Sequence, residues 1–240
     1  MSTDKIKVSD LDILTVKKDI KNIHLGVYPP TGRVRIAAPL QTSDETIRLL
    51  ILSKMPWIKK QRSKFVKQQR QTKREYVSGE SHYFMGKRYL LNVIYGDFKS
   101  KIEIKKKDKI DLYIKSGANS QTRERILDNF YRAELRKHVP KLVAKWESRT
   151  GIKLKEIQIK KMKTKWGTSN PKDGRIWINL ELAKKPLHSL EYVILHEMIH
   201  FLEKNHTERF RHIMNSAMPQ WKQYKEELNH SVLGHACWTH

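Results

Sequence analysis

The sequence has one cysteine, Cys237, in 240 residues, so no disulfide can form within the chain. A reducing compartment is the natural expectation for such a protein. Its first residues, MSTDKIKVSD, lack the apolar core of a secretory signal. No apolar run approaches the ~20 residues that a membrane span needs. Together these absences predict a soluble, cytoplasmic protein with no membrane association. No internal repeat and no low-complexity tract is visible along the chain. Acidic residues are scarce, 25 Asp and Glu against 49 Lys and Arg, which leaves a formal charge of +24. A charge of that size speaks to partners and solubility rather than to fold. It leaves open nucleic acid, an anionic membrane surface, an acidic protein, or simply a well-solvated surface.

What is present divides by pattern. Leu25 and Val27 alternate before Pro29-Pro30-Thr31-Gly32, and Val34 and Ile36 alternate after it, which predicts a hairpin. Thr42, Ser43 and Asp44 offer caps for a helix through Ile47, Leu50 and Ile51, with Pro56 as a kink. That helix runs on into a basic face of Lys59, Lys60, Arg62, Lys64, Lys67, Arg70, Lys73 and Arg74. Strand character returns at Tyr83–Met85 and Tyr89–Ile94. It continues with period two at Ile102, Ile104, Ile110, Leu112 and Ile114, across a Lys-rich turn at Lys105–Lys109. The small polar stretch Ser116–Ser120 predicts a boundary, giving a β-rich region 1–118 with one helical segment and a second region 119–240.

The second region opens with a long helix carrying Ile126, Phe130, Leu135, Val139, Leu142, Val143 and Trp146 on its apolar side. Pro140 should bend this helix and Gly151 should end it. Two strand-like pieces, Glu156–Met162 and Arg175–Asn179, flank the turn-rich WGTSNPKDG. A helix follows over Ser189–Glu203, then another from about Thr207.

The chemistry concentrates in Leu190–Met214, LEYVILHEMIHFLEKNHTERFRHIM. His196 and His200 are four apart, so on a helix both imidazoles project from one face and can share one ion. Glu197 lies beside the first ligand, placed to act as general base on a water that zinc would activate. Catalytic zinc takes three protein ligands and keeps a fourth position open. His206 is the third candidate. Asn205 can adopt the left-handed conformation that ends a helix, and with Glu208 it resembles a cap for the next one. A break there would turn His206 back toward the other two. The alternative is a helix that merely carries two surface histidines. His212 could replace His206 but reads better as a solvent-facing or satisfied core residue. His188 belongs near the start of the motif helix. His235, Cys237 and His240 have the composition of a metal tract at a chain terminus. The spacing His196, His200, His206 fits the frame of metzincins, yet Glu203 stands where their glycine is expected. Met218-Pro219, which could pass for their Met-turn, falls in a helical pattern.

The run Trp166-Gly167-Thr168-Ser169, then Gly174-Arg175-Ile176, Ile178-Asn179, HEMIH, Asn205-His206-Thr207 and Phe210, resembles the YgjP-like metallopeptidase family, relatives of the SprT-like proteases. The VYPPTGRVRIAAP hairpin, Trp57-Ile58 and FMGKRYLL extend the likeness over most of the chain. The resemblance implies His196, His200 and His206 as zinc ligands, one Zn²⁺ per chain, and Glu197 as the catalytic residue. One departure is Ser169, which stands where the family has cysteine, so no thiol near the metal is assumed. Trp166 is expected to pack against the motif helix.

The fold expected is α+β, a mostly β N-terminal half packed with a zincin-like helical half containing a small sheet. The function expected is a zinc metallopeptidase acting on a protein or peptide. Two alternatives remain: a zinc hydrolase of a non-peptide amide, and a nucleic-acid-binding protein with a structural zinc. Closed, cysteine-rich ligand sets mark structural zinc and are absent here. Kinship with proteases of DNA-bound proteins, together with the charge, leaves non-specific nucleic-acid binding open.

Overall fold

Alternating β-branched and polar residues build the first sheet. The computed structural model describes residues 2–28, 31–67, 74–106, 108–162 and 165–230. These form two compact units, divided between Arg70 and Gln71. Pro29 and Pro30 of the expected hairpin tip, Arg70 and Lys73 of the basic run, Lys107, and the His235, Cys237 and His240 tract lie outside the described residues. No helix among the described residues is long and apolar enough to cross a membrane.

In the first unit, β1 (Ser2–Val8), β2 (Leu11–Lys18), β3 (His24–Tyr28) and β4 (Arg33–Pro39) form a sheet of order β1-β2-β4-β3. Two antiparallel hairpins are joined through the parallel pair β2 and β4. Val34, Ile36 and Ala38 are buried at alternate positions, as period two requires. They meet Ile47 and Ile51 of α1 (Asp44–Ser53) and Ile58 of α2 (Met55–Lys67). Ser43 caps α1 by accepting the Thr46 N–H at 3.2 Å. The kink expected at Pro56 is a full break: α1 stops at Ser53, and Pro56 sits in the first turn of α2, where a missing N–H costs nothing.

The second unit opens with β5 (Ser81–Phe84), β6 (Lys87–Tyr95), β7 (Lys101–Lys105) and β8 (Lys109–Ile114), in the order β5-β6-β8-β7. Its strand directions repeat those of the first sheet, two antiparallel hairpins joined by a parallel pair. The same four-strand pattern therefore occurs twice, although no repeat is legible in the residues. This sheet buries Leu91, Ile110 and Leu112 in one cluster with Leu127, Tyr131, Leu135 and Val139 of α3 (Ser120–Thr150). The shared core joins residues 81–114 to the helical region after Ser120, whereas their strand pattern groups them with 1–118.

Asn119 caps α3 and Gly151 ends it at φ +74, in the left-handed region. Pro140 is accommodated inside the helix. The fully buried stripe in its first half is Leu127 and Tyr131, one residue beyond the expected Ile126 and Phe130, which are partly buried. Phe130 instead packs on Phe84, ring centroids 5.2 Å apart.

The third sheet holds β9 (Glu156–Lys160), β10 (Gly167–Asn170) and β11 (Arg175–Asn179), in the order β10-β11-β9. β10 runs antiparallel to β11, and β9 parallel to it. A 3-10 turn over Leu180–Lys184 leads to α4 (Leu187–Ile199), followed by α5 (Glu208–Ala217) and α6 (Trp221–His230). Helix α4 is apolar nearly all round, with Leu190, Tyr192, Val193, Ile194, Leu195, Met198 and Ile199 all buried, so it is the central helix of this unit. The architecture is α+β, with β-sheets first, then helices and a small sheet.

Candidate metal centre

Helix α4 ends sooner than its hydrophobic pattern suggests. Its last helical residue is Ile199 and His200 is the C-cap, whereas the sequence predicts helix to Glu203. The chain then turns without Asn205 entering the left-handed region. Thr207, rather than Asn205, caps α5, its hydroxyl accepting the Phe210 N–H at 3.4 Å. The short return brings His206 back over α4.

His196, His200 and His206 thereby offer ligand atoms that all lie within 4.8 Å of one another. The three ring centroids are mutually 4.9 Å apart. Nε2 of His206 and Nε2 of His196 stand 3.0 Å apart. Two nitrogens on one tetrahedral ion, each about 2.1 Å from it, would be roughly 3.4 Å apart, so the donor set suits a zinc-sized cation. Two of the Nδ1 atoms have partners of their own. His200 Nδ1 lies 3.1 Å from the Glu203 carbonyl oxygen, and His196 Nδ1 lies 3.4 Å from the Tyr192 hydroxyl. Among the described residues this His/Cys/Asp/Glu group has three members, all imidazoles.

Phe210 is the floor of the tripod. It is 1% exposed, and its ring centroid lies 5.1, 4.9 and 4.7 Å from those of His196, His200 and His206. Burial, then the charges His200 and His206 would carry, push the His196 imidazole down to about 3. His206 is also lowered, by desolvation first and then by His200, Lys225 and Arg211. Both shifts favour neutral imidazole, the form that binds metal.

Glu197 is 7% exposed. Burial raises its carboxyl to about 7, against the pull of a Ser169 hydrogen bond and the Lys165 charge. Burial, then the Glu197 charge, pushes the neighbouring Tyr192 phenol up to about 12. Strand β10 forms the wall beside Glu197. A Cβ at Gly167 would fall 2.7 Å from Glu197 Cγ and 2.8 Å from Val193 Cγ1, so any side chain there would force Glu197 or Val193 to move.

Ahead of β10, Met162 and Lys165 are both tied to Asn179, which is 3% exposed. Its side-chain N–H groups donate to the carbonyls of Met162 and Lys165, both at 2.8 Å, and its oxygen accepts from Met162 N and Glu181 N, both at 3.2 Å. Trp166 lies against the second unit's core, and the Lys185 ammonium stands 5.6 Å from its ring centre. In the sequence WGTSNPKDG reads as turn and β10 is missed, because its four residues are too few and too polar for a period-two signal. The only clue is the glycine preceding Thr168 and Ser169.

Two other histidines among the described residues are not part of the tripod. His212 is exposed on α5. His188 Nε2 lies 2.7 Å from Glu227 Oε2, and its ring stacks on Tyr224 at 4.5 Å. Met218 closes α5 at the break before α6 and is buried in the core, rather than lying within a helix as its pattern suggests.

Residues 21–231 match the model of the YgjP-like metallopeptidase domain. The chain belongs to the YgjP-like family. It is accordingly a metal-dependent hydrolase of the metallopeptidase kind. No curated protein matches this YgjP-like chain.

Proposed function

We propose that this YgjP-like protein is a zinc-dependent peptidase in which His196, His200 and His206 hold the ion and Glu197 is the general base. The observation that carries the reading is the tripod itself: three imidazoles converging within 4.8 Å, with His196 and His200 holding Nδ1 partners. A structural zinc would call for a closed set of four ligands, whereas this group has three among the described residues. Zinc bound there would supply Lewis acidity, lowering the pKa of water toward ~7 and polarising the scissile carbonyl.

The chain's own residues do the rest. Glu197 accepts the proton of the attacking water at a carboxylate oxygen and returns it to the departing amine. Burial keeps bulk water from competing for that proton. Ser169 donates to the carboxylate, and Gly167 leaves it room, so β10 fixes its direction. The substrate is a protein or peptide, and the basic surface is a site for non-specific nucleic-acid contact.

Metal analysis of protein purified without chelator, paired with hydrolysis of a fluorogenic peptide library, tests the reading. About one zinc per chain is expected. Glu197→Gln should keep that zinc and lose ~10²–10⁴-fold in rate, the worth of a positioned general base. His200→Ala should lose both. A metal-free parent, or a Glu197→Gln variant as active as the parent, overturns the assignment.

A further inference from the structure

The metal tripod has a partner that the HEMIH motif does not contain. Tyr192 lies one turn before His196 on α4 and is 5% exposed. Its ring centroid is 5.6 Å from that of His196, and its hydroxyl oxygen is 3.4 Å from His196 Nδ1. The other nitrogen of the same imidazole, Nε2, is the one 3.0 Å from His206 Nε2. Neutral imidazole has one N–H and one lone pair, so an Nε2 that binds a cation leaves the proton on Nδ1. In this buried position the Nδ1–H needs an acceptor, and the Tyr192 oxygen is the one the structure provides. His200 meets the same need differently, through the Glu203 carbonyl oxygen at 3.1 Å.

We propose that Tyr192 is a positioning residue of the metal centre, its hydroxyl accepting the His196 Nδ1–H and thereby holding Nε2 aimed into the tripod. The inference rests on the reading that His196, His200 and His206 hold zinc. At 3.4 Å the contact is long for a hydrogen bond. Nδ1–H becomes a stronger donor once Nε2 coordinates a cation, so the contact shortens on binding. Packing alone does not account for the residue, because a phenylalanine would fill the same volume. The hydroxyl is the part with a job, and it acts on the ring rather than on the substrate.

Full-length protein and its Tyr192→Phe variant should be compared for zinc affinity by competition with a chromogenic chelator. The expected result is a 10–100-fold weaker zinc affinity in the variant, the usual effect of losing a hydrogen-bond partner behind a ligand. Thermal melts of the zinc-free forms should coincide within a few degrees, which a role in packing alone would not combine with lost affinity. A second measurement needs no variant comparison of stability: in the zinc-loaded parent, the His196 Nδ1 proton should give a slowly exchanging downfield NMR resonance. That signal should move upfield in Tyr192→Phe. Unchanged zinc affinity in the variant, or no protected Nδ1 proton in the loaded parent, overturns the role of Tyr192 and leaves the tripod standing. A parent that takes up no zinc overturns the tripod reading instead.

Discussion

A methyl group placed on Gly167 would lie 2.7 Å from Oε1 of Glu197, closer than any real Cβ contact allows. The glycine is needed for space, since its φ is not among the positive ones. Gly167→Ala should therefore turn the carboxylate aside while leaving the histidines in place. Displacing a reacting group by about an ångström costs on the order of 10²-fold in rate, and the overpacking costs about 1–3 kcal/mol of stability. Peptide hydrolysis and zinc content measured on one preparation would check it: rate should fall with zinc retained, and an unimpaired variant would contradict the close approach.

Zinc should stabilise the fold through three histidines and not a fourth. A ligand that binds only the native state adds about 2.7 kcal/mol at a hundredfold excess over its dissociation constant. Thermal melts with and without zinc should show that gain in the parent and in His212→Ala, whose histidine is exposed on α5. His206→Ala should lose most of it. Equal losses in the two variants would count against the assignment.

Acid should weaken the second unit through a histidine remote from the HEMIH motif. His82 is 2% exposed, with Nε2 3.3 Å from Glu80 Oε2. Burial, followed by the Arg74 charge, holds its imidazole down to about 4, against the pull of Glu80. The unfolded chain, whose histidine titrates near 6.5, then binds more protons than the folded one between roughly pH 6.5 and 4. The stability this group contributes is full above that window and is lost as pH falls through it, at no more than about 1.4 kcal/mol per pH unit. Urea unfolding of metal-free His82→Gln and parent at pH 7, 5.5 and 4.5 should show a shallower decline in the variant.

Charge on α2 should govern any binding of nucleic acid. Lys59 and Lys60 are both exposed there. Each phosphate neutralised on duplex DNA contributes roughly −0.9 to the slope of log K against log salt. Reversing both lysines to glutamate should flatten the slope by about 2 in a fluorescence-anisotropy titration and leave zinc content unchanged. Absence of binding by the parent at low salt would show that the charge has no nucleic-acid role.

The contrast between the histidines and their surroundings shows how far one dimension reaches. The four-residue spacing of His196 and His200 puts both on one helical face, whatever the rest of the chain does, because 3.6 residues make a turn. Glu197 follows from adjacency, and the alternation of Val34, Ile36 and Ala38 declares a strand by the same local logic. The expectation of a helix break was enough to bring His206 toward the other two, although the cap proved to be Thr207 and not Asn205.

Other features depend on partners far away in sequence. Residues 81–114 look like the end of a β-rich half until Leu91, Ile110 and Leu112 are seen to share a core with α3 and α4. Strand β10 is a strand because β11 pairs with it, and its residues alone read as a turn. Phe210 became the floor of the tripod through the way α4 and α5 pack, whereas Tyr192 stands beside His196 Nδ1 by the helical period of α4 alone. The sequence by itself determined which side chains could hold a metal, since that depends on residue type and helical period. Only the tertiary structure decided what walls and buries them, because burial and the close approach of Gly167 to Glu197 join residues that the chain keeps apart.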